Sequence, residues 1–167
     1  MKTGTVIFLL ALLSSVGYSQ VKTYKNPTDK YSFDYFEDWL LKEANGRVTV
    51  YAPLESKTDN QYENLGISIS PVQGMTLEQC YKTFITDGLP KAFKDYEKIE
   101  EGNWDINGTK AKWIEYKMKE GPMSITNLTC VIVKNNKLYT LLGYSSTKKY
   151  PDYKEKFTTI IKSFKLD

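Results

Sequence analysis

Cys80 and Cys130 are the only thiols in a chain of 167 residues that contains no histidine, and those two facts bound the chemistry open to it. A nucleophilic serine or cysteine normally relies on an imidazole base, and histidine is the commonest zinc ligand. Ser-His-Asp and Cys-His catalysis are therefore excluded. Two sulfur ligands also cannot complete a four-ligand zinc or iron–sulfur site. Any catalysis would rest on carboxylates, lysine or tyrosine alone. Asp34, Glu37 and Asp38 offer oxygen ligands for a hard cation, but they lack the Asp-x-Asp-x-Asp-Gly loop, and Asp34 falls on a strand-like segment. A solvated loop is expected there, with no metal site, no cofactor and no catalytic residue.

Cys80 and Cys130 are candidates for a disulfide, which an exported protein permits. Cys80 falls on the inner face of a helix and Cys130 on an apolar strand face. A bridge needs Cα atoms within about 7 Å, which a helix packed on a sheet seldom provides. Two buried thiols are therefore the expected state, and the disulfide is the alternative. Asn107-Gly108-Thr109 and Asn127-Leu128-Thr129 match the glycosylation sequon, but the first is a turn signal and the second lies inside a strand. Trp104 and Trp113 are expected on a core face rather than in a ligand slot. Thirteen tyrosines cannot all be buried. Tyr62, Tyr96 and Tyr116, beside polar loops or on the more polar face of a hairpin, are the candidate partner surface.

Charge narrows the partners. The net charge is +3, which loss of Lys2 would lower by one, and Arg47 is the only arginine. Phosphate and base recognition favour the guanidinium fork. Lysines interspersed with acids, as in Lys154-Glu155-Lys156, make a solvated face, so nucleic acid is not expected as a partner. The hydrophobic content of 41%, with three Trp and seven Phe, indicates a packed globule.

These side chains must be positioned by a recognisable series of elements. Tyr31 to Tyr35, Arg47 to Tyr51 after an Asn45-Gly46 turn, and Leu65 to Ser70 read as strands. Leu54 to Gln61 reads as a polar loop. Thr76 and Gln79 form a capping box that opens a helix, on which Leu77, Cys80, Tyr81, Phe84 and Ile85 share a face until Gly88 and Pro90 stop it. Asn107-Gly108 predicts a two-residue hairpin turn that pairs Trp104 with Ala111 and Asp105 with Lys110. Asn135-Asn136 predicts a second one, pairing Val133 with Leu138 and Cys130 with Leu141. Leu128, Cys130, Ile132, Tyr139 and Leu141 fall on one face of that hairpin, and Val131, Val133, Leu138 and Leu142 on the other. A strand pair apolar on both faces must be covered on both. One cover is the capped helix. The other is a stripe of Tyr150, Tyr153, Phe157, Ile160, Ile161 and Phe164, opened by Pro151 and Asp152. The expected fold is α+β: a three-layer α/β/α sandwich, an antiparallel sheet with one main helix on each face.

The first nineteen residues have the order of a secretory signal peptide: Lys2, an apolar core from Val6 to Leu13, and a Val16-Gly17-Tyr18-Ser19 cleavage site that would leave Gln20 first. The apolar run is far below the ~20 residues a bilayer requires, so no membrane span is expected. No cysteine follows the apolar core to carry a lipid. The expectation is an exported, periplasmic or extracellular protein, soluble after cleavage, with residues 20–167 as one domain.

Several of these strings resemble the PsbP-like family. Tyr31-Ser32-Phe33-Asp34-Tyr35-Phe36-Glu37-Asp38-Trp39 is similar to its Y-x-F-x-Y-P-x-x-W opening, with Phe36 where the family often has proline. Asn64 to Ile67, the capped Thr76-Leu77-Glu78, Asp105 to Ala111, Lys134 to Leu141 and Ile160 to Lys165 follow in the family's order. The resemblance implies the sandwich fold and a bacterial source. Through the wider fold group, it also implies protein binding without catalysis. The resulting expectation is a non-catalytic interaction module for another envelope or secreted protein. The alternative is a carrier that holds a small molecule or lipid in an apolar pocket between helix and sheet.

Overall fold

The computed structural model describes residues 20–56 and 63–167; the leader, Tyr62 and most of the Leu54–Gln61 loop lie outside the described residues. The strands are β1 (Val21–Asn26), β2 (Tyr31–Phe36), β3 (Leu40–Ala44), β4 (Arg47–Tyr51), β5 (Asn64–Pro71), β6 (Glu97–Ile106), β7 (Thr109–Glu120), β8 (Met123–Lys134), β9 (Lys137–Ser146) and β10 (Lys165–Leu166). Helix α1 (Leu77–Cys80) runs directly into a π-helical segment, Tyr81–Thr86, and α2 (Leu89–Ala92) follows; α3 (Tyr150–Ser163) comes near the end. Seven strands form an antiparallel sheet in the order β3-β4-β5-β9-β8-β7-β6, and β1-β2-β10 form a separate small sheet.

Both hairpin registers follow from their turns. Trp104 pairs with Ala111 and Asp105 with Lys110, and Cys130 pairs with Leu141 and Val133 with Leu138. Asn107 and Gly108 have φ of 50° and 79°, and Asn135 and Asn136 of 51° and 57°. Two successive positive φ values define the type I′ turn, whose twist matches that of the strands it joins. Asn107 does more than turn the chain. Its side-chain amide donates to the Phe164 carbonyl at 2.8 Å and so caps the end of α3.

Alternation along β8 and β9 divides the interior in two. Leu128, Cys130, Ile132, Tyr139 and Leu141 face α3, where Tyr150, Tyr153, Phe157, Ile160, Ile161 and Phe164 complete the larger core. Trp39 meets Phe157 edge-on, with ring centroids 6.1 Å apart. Gly143 lies beneath this layer, and a Cβ placed there would stand 2.7 Å from the Phe157 ring, so the missing side chain sets how closely α3 seats. Burial of Phe157 alone is worth about 2–3 kcal/mol. Val131, Val133 and Leu138 face the other way, into a smaller core with Cys80, Tyr81 and Ile85. The sheet is thus clad by a helix on each face, the expected α+β sandwich.

Three features depart from expectation. The Tyr31 strand joins the small sheet instead of the main one, because Tyr31 and Phe33 pack inward with Phe164 and extend the α3 layer. β1, β3 and β10 were not foreseen. Phe84 is 46% exposed and does not share the buried helix face. The Asp87 amide bonds the Lys82 carbonyl, an i→i+5 link. That wider winding turns the chain less per residue, so Phe84 falls well short of a full turn from Tyr81 while Ile85 returns to the core.

Candidate functional site

Two open concavities lie on the side of the main sheet away from α3. The first, about 510 Å³, runs between the helical segment (Glu78, Tyr81, Lys82, Thr86) and the β6–β7 edge (Glu101, Gly102, Asn103, Lys112). Its charges are tied to one another. Lys112 reaches Glu78 at 2.8 Å and lies 4.9 Å from the Tyr81 ring centroid. Lys82 pairs with Asp87 at 2.8 Å. The Tyr81 hydroxyl donates to Glu101 at 2.8 Å, and Glu101 also takes Lys98 at 2.7 Å. The bonds from Lys98 and then Tyr81 hold the Glu101 carboxyl below its ordinary range. Burial, and then the Glu101 carboxylate, push the Tyr81 hydroxyl up.

The second concavity, about 540 Å³, lies on β3, β4 and β5, beyond the reach of the helices. Lys42, Ala44, Asn45, Arg47, Thr49, Tyr51, Asn64 and Ser68 line it. Pairing sets Thr49 opposite Gly66, and the Nε–Nη2 edge of the Arg47 guanidinium rests against Gly66, filling the space a Cβ would take. Lys42 lies 5.3 Å from the Tyr51 ring centroid. None of these lining residues is acidic. Glu43, next in β3, points to the opposite face, where it hydrogen-bonds Tyr24.

Against known families, the PsbP model matches residues 19–166. The chain belongs to the PsbP family. Its structure resembles the solution structure of cyanobacterial PsbP (CyanoP) from Synechocystis sp. PCC 6803, with a TM-score of 0.66 and 21% identity over 95% of this chain and 99% of that one. It also resembles LpqN, involved in cell envelope biogenesis of Mycobacterium tuberculosis, with a TM-score of 0.67 and 10% identity over 88% and 90%. The Ran-binding protein Mog1p of Saccharomyces cerevisiae gives a TM-score of 0.61 and 8% identity over 89% and 96%. At these identities the likeness is one of fold. No curated protein matches the sequence.

Within this PsbP-family chain the residues singled out from the sequence fall in different places. Cys80 and Cys130 are free, buried thiols on opposite sides of the sheet, Cys80 in the smaller core and Cys130 in the larger. The candidate disulfide is corrected on that geometry, since the sheet itself separates the two sulfurs. Burial pushes the Cys130 thiol up to about 12 and raises Cys80 as well, so both stay protonated and inert.

The tyrosine surface does not assemble. Tyr62 lies outside the described residues, and Tyr116 is 3% exposed, part of the smaller core. Tyr96 is half-buried against it, with ring centroids 5.6 Å apart. The polar hairpin face on which Tyr116 was placed is the face that the π-helical segment covers. Trp104 and Trp113 stack at 5.1 Å, half-buried at the edge of the larger core. Asp34 accepts from Thr23 at 2.6 Å, and Glu37 pairs with Lys22 at 3.5 Å. Asn127 is buried in β8, which closes its sequon to modification.

The sequence reading passed over the Arg47 groove. A sole arginine one residue after an Asn-Gly turn, followed by alternating Val48 and Val50, was the available signal. It also passed over two buried carboxylates, Glu63 and Glu115, which Lys149 and Lys154 meet from the start of α3 at 3.6 and 2.6 Å.

Proposed function

We propose that this PsbP-family protein is a non-catalytic module, exported with loss of residues 1–19, that works by binding another envelope or secreted protein. One observation carries the non-catalytic reading. Wherever a protonation equilibrium is clearly perturbed among the described residues, it moves away from neutrality. Carboxylic acids go down (Asp87, Glu101), while lysines (Lys98, Lys137), tyrosines (Tyr81, Tyr150, Tyr153) and both thiols go up. A general acid or base works with its pKa drawn toward the operating pH. These shifts lead away from general acid–base work near neutral pH, and the chain has no histidine to supply it.

The binding role is supported by the form of the surface. Both concavities are open and lined mostly by hydrophilic residues, and such surfaces suit a macromolecular partner better than a retained small molecule. A carrier would need an apolar cavity between the first helix and the sheet, where Val72, Ile85, Ile114, Tyr116 and Val131 are packed together. Export is supported by the tripartite leader, and no helix among the described residues is long and apolar enough to cross a membrane.

Affinity capture of the purified protein against an envelope extract tests the role, with retention of one protein in stoichiometric amount as the expected result. An empty capture, together with bound ligand mass in native mass spectrometry, would favour the carrier instead. Amino-terminal sequencing of the exported form is expected to begin at Gln20.

A further inference from the structure

We infer that the free edge of β6, over residues 100–105, is the docking site for an extended basic segment of the partner, with an arginine seated beside Gly102 between Glu100 and the Trp113 indole. The inference rests on the protein-binding reading above and names the surface and the chemistry.

Three observations meet on this one strand. The first is its backbone. β6 ends the seven-stranded sheet and pairs on one side with β7. In a two-residue hairpin the pair next to the turn, here Ile106 and Thr109, is hydrogen-bonded. Asp105, Asn103 and Glu101 therefore turn their main-chain groups outward. Among the described residues, no main-chain group of another element bonds to them. The bulge between Lys98 and Glu100 interrupts the ladder, which leaves residues 100–105 as the regular edge.

The second observation is uncompensated charge. Glu100 faces Glu115 directly across the ladder, and like charges so placed repel. Lys154 answers Glu115 at 2.6 Å, whereas Glu100 is exposed and makes no ion pair among the described residues. Its neighbours are served already, Glu97 by Lys117 at 3.5 Å and Glu101 by Lys98 at 2.7 Å. The third observation is the indole. Gly102 follows Glu100 on the same face of β6, and Nε1, Cε2 and Cζ2 of Trp113 lie within 3.1 Å of the place its Cβ would take. The glycine lets Trp113 lean across from β7 to the rim of the sheet, where it stacks on Trp104 at 5.1 Å.

An added strand sets its side chains level with those of β6. The residue opposite Gly102 meets no side chain there and stands against the indole, with the Glu100 carboxylate two residues along the same face. Arginine suits that seat, because its guanidinium stacks on an indole and forks onto a carboxylate. On the other face, side chains of the segment would enter the helix-side cleft beside Glu101 and Asn103. A second copy of this chain is a poor occupant: antiparallel pairing of two β6 edges about Asn103 sets Glu101 of each opposite Asp105 of the other. A free cation would use Glu100 alone, whereas the segment uses carboxylate, indole and edge at adjacent positions of one strand.

The test uses the purified chain and three fluorescent peptides of equal length: Arg alternating with Thr, Glu alternating with Thr, and Arg alternating with Pro. Anisotropy titrations at low salt are expected to show binding of the Arg–Thr peptide and not of the Glu–Thr peptide. With arginine opposite Gly102, the intervening residues are the ones that donate to β6. The Arg–Pro peptide keeps the charge, loses those donors, and should bind about tenfold more weakly. Glu100→Gln should weaken Arg–Thr binding about fivefold. Glu100→Lys should abolish it, and the fold tolerates that change because the new ammonium faces Glu115. Hydrogen exchange should slow at Glu101, Asn103 and Asp105 in the complex and stay unchanged at Leu40–Ala44, the opposite edge of the sheet.

Unchanged affinity in Glu100→Lys, or equal binding of the Arg–Thr and Glu–Thr peptides, overturns the inference. So does equal binding of the Arg–Pro peptide, which marks charge attraction without an added strand. Displacement of the peptide by spermidine at the same concentration marks a free-cation site, and slowed exchange at Leu40–Ala44 in place of β6 marks the other edge; either overturns it as well. If the Glu100→Lys protein captures the same envelope partner in the same amount as the unaltered chain, the interaction-module reading stands and the edge assignment falls.

Discussion

The two faces of the seven-stranded sheet are finished by different means, although the same strands make both. On the α3 face a fourteen-residue helix and the small sheet cover the strands with interlocking aromatics, and Gly143 is cut to the shape of Phe157. On the other face a short helix that widens into a π turn covers β7 and β8, while nothing among the described residues covers β3, β4 and β5. Stability is concentrated where side chains are dry and complementary. The open face has no such layer. The contrast predicts that substitutions of similar size will have very different consequences on the two faces.

The largest effect is expected at Gly143. A valine there would collide with Phe157 under a helix that cannot move without opening the larger core. Gly143→Val should cost about 3 kcal/mol, read as a lowered urea midpoint with an unchanged slope. A near-neutral result would mean that the α3 face tolerates repacking and that the proposed contrast between faces is false.

Cys130 sharpens the same point by chemistry rather than volume. Its sulfur sits in an apolar layer, so Cys130→Ser would bury a hydroxyl and should cost about 2 kcal/mol. A thiol reagent should find neither cysteine in the native chain and both after denaturation, in the absence of reductant. Immediate labelling of the native protein, or silence after unfolding, would contradict the assignment of two free buried thiols.

The cleft beside the π turn comes next. Tyr81→Phe removes the hydroxyl that donates to Glu101 and should cost about 1 kcal/mol near neutral pH. The sign of its pH dependence follows from Glu101, whose carboxyl is held below its ordinary range by Lys98 and Tyr81. A carboxyl depressed in the folded state contributes stability above its unfolded pKa, and that contribution is lost as pH falls through the folded value. The gap between the unaltered protein and Tyr81→Phe should therefore shrink on acidification below about pH 4. Denaturation series at pH 7 and pH 3 check it, and a gap that widens in acid would refute the assigned donor and acceptor.

Much of this contrast could be read from the chain before any coordinates. Asn107-Gly108 and Asn135-Asn136 are local signals that pin register, and with register set, period-two alternation places Cys130 and Val131 on opposite faces. Thr76 and Gln79 likewise carry their capping box in four residues. What escaped depends on distant or collective effects. The fate of Phe84 turns on one i→i+5 bond, which no spacing rule reports. Tyr116 looked exposed because its hairpin face is polar near Asp105 and Lys110. Further along the same strand that face runs under the helix, and Tyr116 is buried. The Tyr31 strand has strand periodicity in either sheet, so its partner is settled by long-range packing on Phe164. Arg47 was visible as the sole arginine, but its lack of a carboxylate partner among the described residues becomes apparent only when the sheet is assembled.

The smallest effect on stability is expected at Gly66, where the contrast is most easily broken. The nearest atoms to a methyl group there are those of the Arg47 guanidinium, at the end of a side chain that is long, flexible and at the surface. Gly66→Ala should therefore shift stability by less than about 0.5 kcal/mol, the guanidinium swinging away at little cost while the strand gains a residue with less freedom to lose. Thermal denaturation checks it, and an unshifted midpoint is expected. A midpoint lowered by several degrees would show that the Arg47 side chain is fixed where it lies, and that the open face is finished as tightly as the α3 face.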